Sequence, residues 1–190
     1  QVGQLREEIT TILLGAKSGD EVLVRLNSGG GIVHTYGLAS AQLMRLRNAG
    51  IKLTAAVDEV AASGGYMMAC VADRIIASPF AIIGSIGVVT QMPNFNRFLQ
   101  KHDIDYEQLT SGEFKRTITM FGQNTLQGRE KLQQGLDEVH HQFRTHVKRF
   151  RPHVDLERAA NGDDWSGERS LHLNLVDDIM TSDEYLMEKM

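Results

Sequence analysis

The chain has 190 residues, enough for one domain with a substantial core and too few for two of comfortable size. Its formal net charge of −4 and its aromatic content of 6% exclude the basic footprint typical of nucleic-acid-binding domains. A single cysteine excludes an internal disulfide, and the sequence contains no apolar run long enough to span a bilayer.

The first third of the chain alternates between helix-like and strand-like patterns. In chain order these are a helix over Leu5–Leu13 (apolar at Leu5, Ile9, Ile12 and Leu13), a strand over Glu21–Asn27, a helix over His34–Asn48 and a strand over Ile51–Val57 that leads toward Ser63. This alternation predicts an α/β fold in which helices cover a sheet with parallel strands.

Shorter elements follow, and a long helix comes near the end of the chain. The pattern predicts short strands over Arg74–Ala77 and Ile82–Val89, a helix over Asn94–Lys101, an extended segment over Asp105–Leu109 and a polar loop over Ser111–Lys115. A long amphipathic helix is predicted from Leu126 to Phe150, with one apolar stripe formed by Leu132, Leu136, Val139, Phe143 and Val147. Pro152 ends it, and short elements complete a helical C-terminal arm.

Ser63 has the most informative surroundings in the sequence. It follows Ala61-Ala62 and precedes Gly64-Gly65 and an uncharged, helix-like run over 66–72. A hydroxyl at the start of a buried helix lies beside backbone N–H groups that have no intrahelical acceptor. Those donors can hold the oxyanion that forms when a serine attacks a carbonyl. The alternative interpretation is an ordinary helix N-cap.

A run of three glycines follows the first strand, at residues 29–31, and leaves backbone amides free to approach a substrate closely. The run is not a Walker sequence. It also fails as a dinucleotide fingerprint, because His34 stands in place of the third glycine and Lys52 in place of the ribose-binding acid. A plain turn is the alternative interpretation. Together with Ser63, however, one amide from Gly30 and one from Gly64 would form the pair that an oxyanion hole requires.

A nucleophilic serine needs a base. No histidine lies between Ser63 and Lys101, His34 follows the glycine loop, and no histidine spacing matches a zinc-binding helix. A lysine can serve instead when burial lowers the pKa of its amine. Lys115 is distinctive among seven lysines because Phe114 precedes it and an apolar-rich run over 117–121 follows. Cys70 is better explained as a small core residue than as a nucleophile.

Four blocks together resemble the signal peptide peptidase A family: Arg25–Gly31, Ala61–Tyr66, Ile83–Val88 and Gly112–Arg116. The resemblance covers nearly the whole chain, including Trp165–Glu168 and Leu173–Asp177. It implies an α/β fold similar to Clp proteases and crotonases, with repeated ββα units and a helical C-terminal arm. It also implies a single peptidase domain over residues 1–190, from which an N-terminal strand and a membrane anchor are expected to be missing.

By resemblance, the activity is that of a serine endopeptidase with a Ser–Lys dyad. Ser63 would be the nucleophile and Lys115 the general base, with Ser85 orienting the lysine. Gly30 and Gly64 would supply the oxyanion donors. One departure is Gly29, where the family often has a proline, and its loss makes the loop more flexible.

The resemblance also implies peptide substrates, such as signal-peptide remnants or other apolar segments, and a homo-oligomer. It implies membrane attachment through a segment outside this chain, with the catalytic domain on the periplasmic side of the bacterial inner membrane. No cofactor, metal or nucleic acid is expected.

Two alternatives on the same fold remain open: a crotonase-like coenzyme A enzyme, which needs no nucleophilic serine, and an inactive assembly module. A Clp-type Ser-His-Asp site is disfavoured, because residues 85–89 stand where its histidine would be.

Overall fold

The computed structural model describes residues 2–17 and 19–190, which form two compact units. Unit 1 comprises the chain up to Gly87 together with Gln142–Met190, and unit 2 comprises Val88–His141. The elements are α1 (Val2–Gly15), β1 (Glu21–Arg25), α2 (Val33–Asn48), β2 (Lys52–Val57), β3 (Val60–Ala62), α3 (Gly64–Ala69), β4 (Arg74–Ala77), β5 (Ile82–Gly84), α4 (Asn96–Lys101), α5 (Leu126–Phe150), α6 (Leu156–Ala159), β6 (Asp164–Ser166), α7 (Gly167–His172), β7 (Asp178–Ile179) and α8 (Ser182–Glu188). The single domain expected for residues 1–190 stays a prediction.

Unit 1 contains a four-stranded parallel sheet with the strand order β1-β2-β4-β7. Its interior strands are buried from Leu53 to Val57 in β2 and from Ile75 to Ala77 in β4. Such continuous burial is typical of parallel strands whose two faces are both covered. The sheet therefore confirms the predicted α/β class with parallel strands. The finer expectation of repeated ββα units stays a prediction.

A second sheet, with the order β3-β5-β6, carries Ser63 at the end of β3. β3 and β5 are parallel, and β6 pairs with β5 in antiparallel orientation. The strand predicted over Ile51–Val57 is confirmed as β2 (Lys52–Val57), and the chain then bends at Asp58 and Glu59 and enters this other sheet as β3 before it reaches Ser63. Asp58 stabilises the bend by accepting hydrogen bonds from the backbone and hydroxyl of Ser182, at 2.8 and 2.7 Å.

Two extended segments predicted beyond β4 are shorter or absent. The strand predicted over Ile82–Val89 ends at Gly84, because Gly84 and Ser85 have φ values of +100° and +50° and turn the chain. Asp105–Leu109 forms no strand among the described residues. Elsewhere in unit 2, the side-chain amide of Asn94 donates hydrogen bonds to the backbone carbonyls of Thr119 and Gly122.

The predicted helices α1, α2 and α5 are confirmed, with α5 having the predicted bounds Leu126–Phe150. In its predicted stripe, Phe143 and Val147 are buried in the core of unit 1. α3 is almost completely buried, and the hydroxyl of its Tyr66 donates to the Leu175 carbonyl at 2.8 Å. Cys70 follows α3 and is buried, which raises the pKa of its thiol and agrees with a core role.

The C-terminal helix α8 is tied to the edge of the parallel sheet. Tyr185 on α8 donates its hydroxyl proton to Glu21 at the start of β1, and Thr54 on β2 donates to the same carboxylate at 2.6 Å. Burial acts to raise the pKa of Glu21, but these bonds and that of Lys189 outweigh it and lower the pKa to about 2. Glu21 is therefore a charged structural anchor.

Of the described residues, those in helices include no segment both long and apolar enough to cross a membrane. Across residues 2–17 and 19–190, no group of three or more histidine, cysteine or acidic side chains is arranged to hold a metal ion.

A second anchor is formed by one side chain of α2 and one of α5, which both contact the Met67 carbonyl in the middle of α3. The Ser40 hydroxyl donates to the Met67 carbonyl at 3.0 Å, and His146 Nε2 lies 3.1 Å from the same oxygen. His146 Nε2 also lies 3.1 Å from Ser40 Oγ, and in the tautomer that is protonated at Nε2 the ring donates to the Met67 carbonyl, which can only accept. α3 is thus fixed by hydrogen bonds from two different helices.

We predict that this anchor makes the protein sensitive to acid. Burial is the main cause that lowers the pKa of His146, Arg149 adds to the effect, and the bond to Met67 opposes it. The unfolded chain takes up a proton near the ordinary pKa of 6.5, and the folded protein does so only at lower pH. The free energy of unfolding should therefore decrease as the pH falls below that value. Urea denaturation above and below it measures the decrease.

His146→Gln should reduce this decrease, and should itself cost about 1 kcal/mol at neutral pH through the altered hydrogen bond. His34→Gln is the matched control, since His34 is exposed at the start of α2, and it should leave the stability at neutral pH unchanged. An acid-induced loss as large in His146→Gln as in the unaltered protein would contradict the assignment.

Candidate active site

Three turns of unit 1 meet at one edge of the second sheet. Ser28 forms a parallel bridge with Ala61 of β3, and Ala62 pairs with Gly84 of β5. The glycine loop, the Ser63 turn and the Ser85 turn therefore follow the carboxyl ends of neighbouring parallel segments. In α/β proteins this edge is where ligands bind.

Ser63 has an unusual backbone conformation, with φ 51° and ψ −119°. Its N–H donates to the Gly84 carbonyl at 2.7 Å, and its carbonyl accepts from Met67 N–H in α3 at 3.0 Å. A non-glycine residue at positive φ costs roughly 1–3 kcal/mol and persists only where its surroundings hold it. A strained strand-to-helix turn of this kind is also how α/β-hydrolases expose a nucleophilic serine.

The Ser63 side chain is half-buried, and the structure describes no capping hydrogen bond from it to α3. This absence disfavours the interpretation as an ordinary N-cap. Gly64 and Gly65 are the first residues of α3, so their N–H groups have no intrahelical acceptor. A reactive hydroxyl and free backbone donors thus lie in adjacent residues.

The backbone of Gly30 packs directly against this turn. A Cβ atom at Gly30 would lie 2.7 Å from both Ser63 Cβ and Gly64 N, and 2.9 Å from the Ala62 carbonyl oxygen. Gly30 also has φ +94°, so only glycine fits there. Its N–H donates to Ser28 Oγ at 3.2 Å, at the long end of the range for such bonds.

Ser85 occupies the equivalent turn after β5, with φ 50°. Its N–H donates to the Asp163 carbonyl at 2.8 Å, and its side chain is half-buried. The structure therefore brings four of the five predicted site residues, Gly30, Ser63, Gly64 and Ser85, to one edge of unit 1.

The fifth, Lys115, belongs to unit 2. It lies in an exposed turn closed by a hydrogen bond from its own N–H to the Gly112 carbonyl at 3.1 Å. Residues 111–116 are all exposed in the described part of the chain, and the apolar surroundings expected for Lys115 stay a prediction. The Nζ atom of Lys131, and not that of Lys115, lies over the Phe114 ring, 5.5 Å from the ring centroid.

Sequence reasoning missed two aromatic residues at the site. The Tyr36 ring covers Gly64, where a Cβ would lie 2.4 Å from Tyr36 Cγ. Trp165 of β6 packs against Gly84, and its Nε1 is buried without a hydrogen-bond partner among the described residues. Trp165 is the single tryptophan, and Tyr36 stands in the first turn after the glycine loop, but neither position by itself indicates which glycine it covers.

We predict that Gly30→Ala is strongly destabilising, because the new methyl group would meet backbone atoms that cannot move independently. The expected loss in free energy of unfolding is about 2 kcal/mol or more. Gly29→Ala is the matched control, since its Cβ would meet nothing within 4 Å and its φ is not in the left-handed region. Equal stabilities for the two variants in urea denaturation would show that the close approach is not needed.

A family model described as peptidase family S49 matches residues 45–190, and one described as peptidase family S49 N-terminal matches residues 1–43. The chain is 59% identical over 186 residues to a probable protease SohB from Haemophilus influenzae, covering 98% of this chain and 53% of that protein. It is 55% identical over 190 residues to a probable protease SohB from Buchnera aphidicola subsp. Acyrthosiphon pisum, covering 100% and 56%. A putative protease from Methanocaldococcus jannaschii is 30% identical over 171 residues, covering 87% and 53%.

The chain thus spans about half the length of these curated relatives. The matches confirm the family resemblance that the four sequence blocks indicated, and together the two family models account for nearly every residue. The chain belongs to peptidase family S49.

Proposed function

We propose that this chain is the catalytic part of a serine endopeptidase that forms an acyl-enzyme on Ser63. The observation that carries the proposal is the strained Ser63 turn, which lies between the Gly30 loop and the start of a buried helix whose first N–H groups have no intrahelical acceptor. Relatives described as probable or putative proteases support the same reaction class.

In the proposed reaction, Ser63 Oγ attacks the carbonyl carbon of the scissile peptide bond while its proton passes to the amine of Lys115. The carbonyl electron pair moves to oxygen, where the N–H groups of Gly30 and Gly64 stabilise the charge. When the tetrahedral intermediate collapses, the C–N bond breaks and the protonated Lys115 returns the proton to the leaving amine. Water then attacks the ester and releases the acid.

Lys115 is proposed from the family motif over 112–116 and not from its surroundings in this chain, where its side chain is exposed. General-base catalysis by a lysine requires a neutral amine, which removal from water favours. The proposal therefore requires that substrate, or another copy of the protein, covers Lys115 when the site is formed. Ser85 would accept a hydrogen bond from the amine and orient it.

The wider biological role is proposed on the family resemblance. We propose apolar peptide segments, including signal-peptide remnants, as substrates and a homo-oligomer as the active form. The proposed location is the periplasmic side of the bacterial inner membrane, with attachment through a segment outside this chain. A fold of Clp/crotonase-like ββα repeats is proposed on the same ground.

The first test is covalent labelling of Ser63 by a fluorophosphonate, located by peptide mass spectrometry. We expect a single adduct on Ser63, and Ser63→Ala should abolish both labelling and peptide hydrolysis while remaining folded. A coenzyme A enzyme of the same fold, or an inactive assembly module, would give no adduct. Unchanged hydrolysis by Ser63→Ala would refute the proposed nucleophile.

The second test concerns the base. The labelling rate should rise with pH, because only a neutral amine can accept the Ser63 proton. Lys115→Ala should lower that rate by about 100-fold or more and remove its pH dependence. Lys101→Ala is the matched control in unit 2, since Lys101 is also exposed, and it should behave like the unaltered protein. Retention of the pH dependence in Lys115→Ala would identify a different base.

Mixing the two inactive variants distinguishes a site within one chain from a site between copies. Each Ser63→Ala chain still carries Lys115, and each Lys115→Ala chain still carries Ser63. Labelling should return on mixing only if the two residues act together across a subunit boundary.

A further inference from the structure

Tyr36 lies between the two glycine segments of the candidate site. A Cβ at Gly64 would lie 2.4 to 2.9 Å from three atoms of Tyr36, and a Cβ at Gly31 would lie 3.0 Å from Tyr36 Cε2. The tyrosine therefore touches the backbone of both the serine turn and the glycine loop. Its ring is half-buried, as expected for a side chain that fills the space left by glycines.

Hydrogen bonds connect the Tyr36 hydroxyl through Ser28 to the backbone N–H of Gly30. Tyr36 Oη lies 2.7 Å from Ser28 Oγ, and Ser28 Oγ accepts the N–H of Gly30 at 3.2 Å. Ser28 is itself fixed to β3, because its N–H donates to Val60 O at 2.8 Å and its carbonyl accepts from Ala62 N–H at 3.0 Å. The Gly30 amide is thereby linked through Ser28 to a phenol whose position is set by packing.

A serine hydroxyl has one proton to donate and two lone pairs to accept with, and it can serve both neighbours at once. The bond to Gly30 N–H is long and joins neutral groups, so it is weak. An oxyanion is a much stronger acceptor for the same N–H. A change of acceptor for the Gly30 N–H, from Ser28 Oγ to the reacting oxygen, is therefore more favourable in the transition state than in the ground state. Such a difference is the condition for catalysis.

We propose that Tyr36 is a positioning residue that, through Ser28, holds the Gly30 amide ready for the developing oxyanion. The inference rests on the proposed function of Ser63. Tyr36 touches neither the substrate nor the reacting atoms in this assignment. It acts by restricting where Ser28 Oγ, and therefore the Gly30 N–H, can lie relative to Ser63.

The test is the kinetics of Ser63 labelling by a fluorophosphonate, resolved into a limiting rate and a half-saturating concentration. Tyr36→Phe keeps the ring against Gly31 and Gly64 and removes only the hydroxyl. We expect its limiting rate to fall about 10-fold, less than the loss from deleting an oxyanion donor outright. The half-saturating concentration should change less than about twofold, because ground-state binding does not depend on this amide.

The double variant separates the proposed linkage from two independent effects. Ser28→Ala should lower the limiting rate to a similar extent. Because Tyr36 acts through Ser28, Tyr36→Phe combined with Ser28→Ala should be no slower than the slower single variant. Independent contributions would instead multiply, to about 100-fold if each single loss is about 10-fold.

Tyr185→Phe is the control for a merely structural role. It removes a tyrosine hydroxyl that donates to Glu21, so it should lower the free energy of unfolding without changing the labelling rate of the folded protein. If Tyr36→Phe labels at the unaltered rate, or if the two single losses multiply, the inference is wrong. Should Tyr36→Phe fail to fold, an unchanged limiting rate in Ser28→Ala refutes the inference equally. Absence of labelling in the unaltered protein refutes the proposed function itself.

Discussion

The close approach of the Gly30 backbone to the Ser63–Gly64 turn is the contact on which the candidate site depends. A single added carbon at Gly30 would lie 2.7 Å from atoms of both residues, so the spacing between the loop and the turn is set by direct backbone packing. Donors that stabilise a developing charge must be in place before the reaction, because reorganising them would consume the benefit. Backbone packing achieves this more rigidly than side chains could.

This rigidity has a supporting framework beneath it. The positive φ of Ser63 is maintained by hydrogen bonds to Gly84 on one side and Met67 on the other, and α3 is buried and held by Ser40 and His146. Gly84, Gly64 and Gly65 each lack the room for a side chain, with Trp165, Tyr36 and Ser28 against them. Local strain at the serine is thus stabilised by packing in the rest of unit 1.

Unit 2 has a different physical character. Many of its large apolar side chains are exposed, including Leu109, Phe98 and Leu126, and the turn that carries Lys115 is exposed as well. A neutral amine requires removal from water. The proposed general base lies in an exposed turn of unit 2, whereas the proposed oxyanion donors and the proposed nucleophile lie together within unit 1.

The sequence by itself determined the parallel α/β class, the long helices, and the motifs that contain Ser63, Gly30, Gly64 and Ser85, because apolar periodicity and glycine spacing are local signals. Tertiary structure alone decided that β3 leaves the sheet of β2, that β5 ends at Gly84, and that Lys115 is exposed. It also decided that Tyr36 lies against Gly64 and that Trp165 lies against Gly84. The physical reason is that these contacts join distant parts of the chain. The local sequence around a residue does not indicate which strand will pair with it or which side chain will fill the space above a glycine.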